Sequence, residues 1–263
     1  MMCPAPLFNA TKITRLLRMQ RLLARLQAKH HWERSTTSLY YIFCKTVLAG
    51  RIIALETDTV PGLAVDVLSL SALARLYCLK KRAAAKPIVW LISEIKPLLP
   101  YIEYSPLARR LVEKYWPGAL TIVFNLTPAG SQALKTNLFP PAQHLATQSP
   151  APTPNYTSQA QLKISHNPKN NEIFPTIKTI ALRMPADPFI LTALQLLGTP
   201  LAVTSANYSD EPPPKTLAEV RKLFATQIDV YLERGRTMSN HASTIVDIST
   251  GTAIIKRQGT LKL

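Results

Sequence analysis

Short apolar segments, each closed by a polar or glycine-bearing turn and parted from the next by a helix-patterned stretch, leave this chain few architectures. Arg51–Leu55, Pro87–Ile92, Ala119–Leu126, Thr179–Met184 and Leu201–Val203 read as buried strands, and Ile228–Leu232, Thr244–Ile248 and Ala253–Lys256 as shorter ones. Between them, Ser71–Lys80 carries Leu73, Leu76 and Tyr77 on one face, and Ser105–Tyr115 stops at Trp116-Pro117-Gly118. Pro188–Leu197 ends at Gly198, and the capping box Thr216-Leu217-Ala218-Glu219 opens a helix to Phe224. Strands alternating with helices of this length predict a layered α/β domain. At 263 residues, 47% of them apolar, the chain can bury one sizeable core.

Two segments depart from the pattern. Residues 1–38 hold Lys12, Arg15, Arg18, Arg21, Arg25, Lys29 and Arg34 against the single acid Glu33, with Ile13, Leu16, Leu17, Leu23 and Leu26 at helical spacing. That is a basic amphipathic extension. It reads as a dispensable extension ahead of a start near Met19, as an RNA-touching arm, or, ranked last, as a leader resembling a mitochondrial presequence. Residues 128–176 mix eight prolines with Asn, Gln, Ser and Thr, the composition of a loop or lid without a core of its own. One domain over 39–263, interrupted by an insert at about 128–176, is the expected organisation.

Thirty-one basic residues against 15 acidic give a net charge of +16, a field that attracts nucleotides, RNA or acidic surfaces. Cys3, Cys44 and Cys78 form neither a disulfide rhythm nor a Cys-x-x-Cys pair, which points to a reducing compartment. The cytoplasm is expected, with the mitochondrion as runner-up. No apolar run is long enough to span a bilayer. No phosphate-loop, dinucleotide or nucleophile-elbow motif is present. Chemistry here must come from positioning and charge stabilisation, as phosphoryl and nucleotidyl transfers allow.

Three places offer that chemistry. Leu55-Glu56-Thr57-Asp58-Thr59-Val60-Pro61-Gly62-Leu63 sets hydroxyls and a carboxylate at a strand end, where α/β sheets place ligands. Lys80-Lys81-Arg82 brings two cationic heads to the end of a helix; they converge if that helix stops near Lys80, which Lys86-Pro87 favours. Val203-Thr204-Ser205-Ala206-Asn207 closes another buried segment with small polar groups. Arg183 and Arg257 each end a strand. Taken one at a time, an ordinary polar turn, a solvated helix end, a cap and exposed arginines would explain these residues equally well.

In this order, the pieces resemble the YrdC-like family of threonylcarbamoyl-AMP synthases. The resemblance rests on Thr57-Asp58-Thr59-Val60 with Gly62-Leu63, Lys80-Lys81-Arg82, Lys86-Pro87, Trp116-Pro117-Gly118 with Leu120-Thr121, Arg183-Met184-Pro185, Ser205-Ala206-Asn207, Ser243-Thr244-Ile245-Val246-Asp247 and Arg257-Gln258-Gly259. It implies a twisted mixed α/β sheet with helices around a basic concave cavity. It also implies an enzyme that joins L-threonine, bicarbonate and ATP into L-threonylcarbamoyladenylate and pyrophosphate, with Mg2+ as the expected counter-ion. A partner transferase complex would then modify adenosine 37 of tRNA, and weak tRNA binding would fit the charge. By the same resemblance Thr57, Thr59, Arg183 and Ser243 would hold threonine. Lys80, Arg82, Lys86, Thr179, Ser205, Asn207 and Arg257 would bind ATP, with Lys80 and Arg82 offsetting charge in the reaction. No protein side chain is expected to ligate a metal.

The chain departs from the family pattern at Pro61, where Tyr is frequent, at Ala119 (Pro), and at Leu91 and Asp187 (His). Its 128–176 segment replaces a shorter, glycine-bearing stretch, and the extra C-terminal domain of longer members is expected to be absent. Two further readings stay open: a non-catalytic relative that binds RNA or nucleotide, and a carbamoyl-transfer module of hydrogenase maturation. The second is disfavoured because no zinc-finger cysteines or acylphosphatase segment appears. Retention of Lys80, Arg82, Ser205 and Asn207 favours the enzyme over the non-catalytic binder.

Overall fold

A computed structural model describes residues 14–24, 34–83, 86–137, 178–235, 239 and 241–263. The helices are α1 (14–24), α2 (Arg34–Leu48), α3 (Leu70–Leu79), α4 (Pro106–Tyr115), α5 (Pro128–Asn137), α6 (Pro188–Leu197) and α7 (Leu217–Phe224). The strands are β1 (Ile53–Leu55), β2 (Gly62–Asp66), β3 (Val89–Leu91), β4 (Leu120–Asn125), β5 (Thr179–Arg183), β6 (Leu201–Ser205), β7 (Val230–Leu232), β8 (Thr244–Asp247) and β9 (Ile254–Arg257).

All nine strands join one mixed sheet in the order β7-β1-β2-β6-β3-β5-β4-β8-β9. Successive side chains of a strand point to opposite faces. Ala54, Leu63, Val65, Ile122 and Phe124 therefore enter one core with α3, α4 and α7. Ile53, Leu55, Ala64, Leu91 and Val203 enter a second core with α1, α2 and α6. With both faces covered, the central strands carry apolar residues on each side, which is why they read as continuous apolar runs.

The helix starts follow from local chemistry. The Ser105 hydroxyl accepts from Ala108 N at 3.2 Å ahead of Pro106, and the Asp187 carboxylate accepts from Phe189 N and Ile190 N ahead of Pro188. Thr216 caps α7 through Glu219 N, but the Glu219 carboxylate reaches back to Lys215 N rather than to Thr216 N. Gly198 ends α6 in the left-handed conformation.

Three expectations need correction. β2 was not anticipated: beyond the Thr57-Asp58-Thr59 turn no strand was expected, yet the chain re-enters the sheet at Gly62 and pairs antiparallel with both β1 and β6. The break expected at residue 38 falls inside α2, whose Tyr40, Phe43, Cys44 and Val47 are buried at helical spacing. The proline-rich insert begins with a helix, α5, using Pro128 at its start. The remainder of the insert, 138–176, lies outside the described residues, as do Ile13, Leu26 and the other ends of the basic extension. Within that extension α1 does not stand apart. Met19 and Leu23 are buried in the second core, and Arg15 pairs with Asp66 at 2.7 Å and donates to the Thr199 hydroxyl.

Candidate functional site

The helix end at Lys80 determines how its cations are aimed. Lys81 adopts φ 51°, Arg82 N donates to Tyr77 O and Lys81 N to Cys78 O, the bond pair that closes a helix with a left-handed residue. A side chain in that conformation costs about 1 kcal/mol, and the Lys81 ammonium lies 4.7 Å from the Tyr208 ring centre. This single reversed residue lets Lys80 turn inward while Arg82 turns outward.

Lys80 is only 1% exposed. Its ammonium donates to Ser205 O (2.6 Å), Asn207 O (2.7 Å) and Asn207 Oδ1 (3.1 Å), so three protons meet three acceptors. Burial, and then the like charge of Arg82, pull its pKa from 10.5 down to about 8. The Ser205 hydroxyl donates to Asn207 Oδ1 at 2.6 Å, and Asn207 Nδ2 donates to Glu211 O. Arg82 is braced by Lys86 O and Pro87 O, and Lys86 pairs with the exposed carboxylate of Asp210. That carboxyl is held below the usual range first by the Lys86 hydrogen bond.

The turn between β1 and β2 reaches Arg183 on β5, three places away in the sheet, so it bridges β6 and β3 instead of simply reversing. Arg183 Nη1 donates to Thr59 Oγ1 (3.0 Å), Nη2 to Asp58 Oδ2 (2.7 Å) and Nε to Gly118 O (2.9 Å). Thr57 and Thr59 are buried with their hydroxyls 3.1 Å apart, and Thr57 donates to Val60 O. Gly118 has no room for a side chain, since a Cβ would stand 2.4 Å from Tyr115 O. Burial lowers the Arg183 pKa, while Asp58 and Asp187 oppose that shift.

On the next strands, Ser243 shares a 2.9 Å hydrogen bond with Thr121, and Arg257 donates to both Ser243 O and Ser243 Oγ. Gly259 packs so closely that a Cβ would meet Ala242 O at 2.1 Å. Arg257 is exposed at the rim, yet its crowded surroundings, then the like charges of Arg183 and Arg82, lower its pKa. Those three cations therefore share one region. The pieces are also tied directly: Ala206 N donates to Pro61 O, Thr244 N to Ala119 O, and the Ser239 hydroxyl to Thr59 O.

Thr57, Thr59, Lys80, Arg82, Lys86, Arg183, Ser205, Asn207, Ser243 and Arg257 thus come together. Thr179 does not. It starts β5 opposite Asn125, four residues and about 13 Å of strand from Arg183. A shallow pocket near it, between Glu103, Ser105, Asn125 and Ser249, lies at the far end of β4 from Gly118. Sequence reasoning gave no role to Arg234, whose guanidinium donates to both Asp187 carboxylate oxygens and to Glu56 O, while its backbone N–H donates to Glu56 Oε2. Asp187 was visible only as a departure; in the fold it caps α6 and anchors Arg234. No local signal could have paired residues 47 positions apart. Among the described residues no three His, Cys, Asp or Glu side chains could hold a metal ion, and no helix is long and apolar enough to cross a membrane.

A family model for Sua5, YciO and YrdC proteins, described as "Telomere recombination", matches residues 45–157 and 159–259. A threonylcarbamoyl-AMP synthase from Shigella boydii is 30% identical over 205 residues, covering 76% of this chain and 86% of that one. One from Pyrococcus abyssi is 26% identical over 215 residues, covering 81% of this chain and 52% of its own length. Among solved structures, P. abyssi Sua5 complexed with L-threonine superposes with a TM-score of 0.64 at 25% identity, over 85% of this chain and 55% of that one. This chain thus spans little more than half of the Pyrococcus protein. Escherichia coli YciO shares the fold, with a TM-score of 0.63 at 17% identity over 86% and 91% of the two chains. The chain belongs to the Sua5/YciO/YrdC family.

Proposed function

We propose that this protein is a threonylcarbamoyl-AMP synthase, a nucleotidyltransferase that uses L-threonine, bicarbonate-derived CO2 and ATP. The observation that carries the reading is the convergence of Arg82, Arg183 and Arg257 on one region edged by the hydroxyls of Thr57, Thr59, Ser205 and Ser243. Fixed cations beside small donors suit a triphosphate and a small polar acid. The threonine amine adds to CO2 and loses a proton to give a carbamate. A carbamate oxygen then attacks the α-phosphorus, the α–β phosphoanhydride bond breaks, and pyrophosphate leaves with that bond's electrons.

Arg183, Thr57, Thr59 and Ser243 form the threonine end. Arg82, Lys86, Ser205, Asn207 and Arg257 form the nucleotide end, with Thr179 at the far end of β5 outside it. Lys86 exchanges the Asp210 carboxylate for phosphate. Lys80 acts as a positioning residue, because its ammonium is already satisfied by the 205–207 turn it holds in place. Mg2+ would arrive bound to the triphosphate. The product would be passed to a tRNA-modifying transferase, in the cytoplasm or in the mitochondrion.

Purified protein given ATP, bicarbonate and threonine is expected to release pyrophosphate only when threonine is present. No release at all would leave the nucleotide- or RNA-binding reading in its place, and release that ignores threonine would overturn the synthase reading.

A further inference from the structure

We propose that Asp58 is the counter-group for the substrate's α-ammonium, so that the Arg183–Asp58 pair selects a zwitterionic amino acid over a simple carboxylic acid. This inference rests on the amino-acid site proposed above.

Arg183 and Asp58 are 7% and 9% exposed at their side chains. Asp58 Oδ2 is fully engaged, accepting from Arg183 Nη2 at 2.7 Å and from Ala186 N at 3.0 Å. Its other oxygen, Oδ1, is buried and has no hydrogen-bond partner. A buried carboxylate oxygen without a donor is costly, and a donor supplied by a ligand would remove that cost. Arg183 has five N–H groups and spends one from each nitrogen within the protein, leaving one on each terminal nitrogen for an incoming carboxylate. The pair thus offers donors for one end of an amino acid and an acceptor for the other.

The surroundings point the same way. Arg82 and Arg183 both bear on Arg257 as like charges, so an ammonium entering this region needs an anion. The two carboxylates that bear on Arg183 are Asp58 and Asp187. Asp187 is fully buried and committed to Arg234 and to the first turn of α6. That leaves Asp58. The same argument explains selectivity. A carboxylic acid without an amine would set a second anion beside the Asp58 carboxylate and leave Oδ1 without a donor, whereas an amino acid brings its own compensating charge.

The test compares binding of L-threonine with that of 2,3-dihydroxybutyrate of matching configuration, in which a hydroxyl replaces the amine. Full-length wild type and Asp58→Asn are measured by calorimetry, with ATP binding as the check that the variant is folded. Wild type is expected to prefer threonine by about tenfold or more. In Asp58→Asn the amide oxygen remains toward Arg183 and Ala186 N and its NH2 group replaces Oδ1. Threonine should therefore weaken at least about tenfold while the analogue stays within about twofold. Equal wild-type affinities for the two ligands would overturn the proposal whether or not the variant folds. So would equal weakening of both in Asp58→Asn, which would make Asp58 a mere brace for Arg183, or no change in either. If wild type binds ATP but neither ligand, the amino-acid site itself is wrong and the role of Asp58 falls with it.

Discussion

The ammonium of Lys80 carries a pH signature that separates its two effects. Its pKa is lowered to about 8, from 10.5, first by burial and then by Arg82. Between those values the unfolded chain holds more protons than the folded one, so this residue makes global stability rise with pH across that window. Nucleotide binding should move the other way, because a neutral amine can donate only two hydrogen bonds and must release one acceptor in the 205–207 turn. ATP affinity of the wild type is therefore expected to fall with a midpoint near pH 8, without a parallel fall in thermal stability. Lys80→Met should bind ATP weakly at all pH values and lose about tenfold or more in turnover. Affinity that stays flat across the window would refute the positioning role. The sequence showed Lys80 and Arg82 as a cationic pair but not that one of them is used up internally. That outcome depends on a turn 125 residues away, which no local spacing encodes.

At the scale of elements, most strands and helices were legible because apolar runs and capping residues are local signals. β2 was not. Gly-Leu-Ala-Val-Asp is short, is buried at every position and follows β1 after six residues, so it shows neither alternation nor a spacer. α2 was obscured by its β-branched and hydroxyl residues, which favour other conformations until burial of one face outweighs them. The element that best repays a mutation is the strap leaving β7. Arg234 is 8% exposed and faces an Asp187 carboxylate that is 0% exposed, and it also holds Glu56 at the mouth of the β1–β2 turn. Removing one partner of such a pair leaves a charge buried. Arg234→Met is expected to cost about 3 kcal/mol in urea denaturation and to weaken threonine binding by loosening that turn. A loss below about 1 kcal/mol would show that the strap carries little of the fold.

At the scale of the molecule, two cores clasp one sheet, and α1 belongs to the second of them. Arg15 is 13% exposed and Asp66 3%, and the pair joins the first described helix to the end of β2. Arg15→Ala should lower stability by about 3 kcal/mol, read as a fall in Tm, while leaving the pyrophosphate reaction measurable below the new transition. An unchanged Tm would return α1 to the status of a loose appendage. The net charge of +16 argues separately that any RNA contact will weaken steeply with salt.

Met19 has no exposed surface. A polypeptide whose translation began at that codon would set a terminal ammonium beside a side chain sealed in the interior, and Asp66 would lose its arginine. Such a chain would be less durable in the cell and a readier substrate for proteolysis.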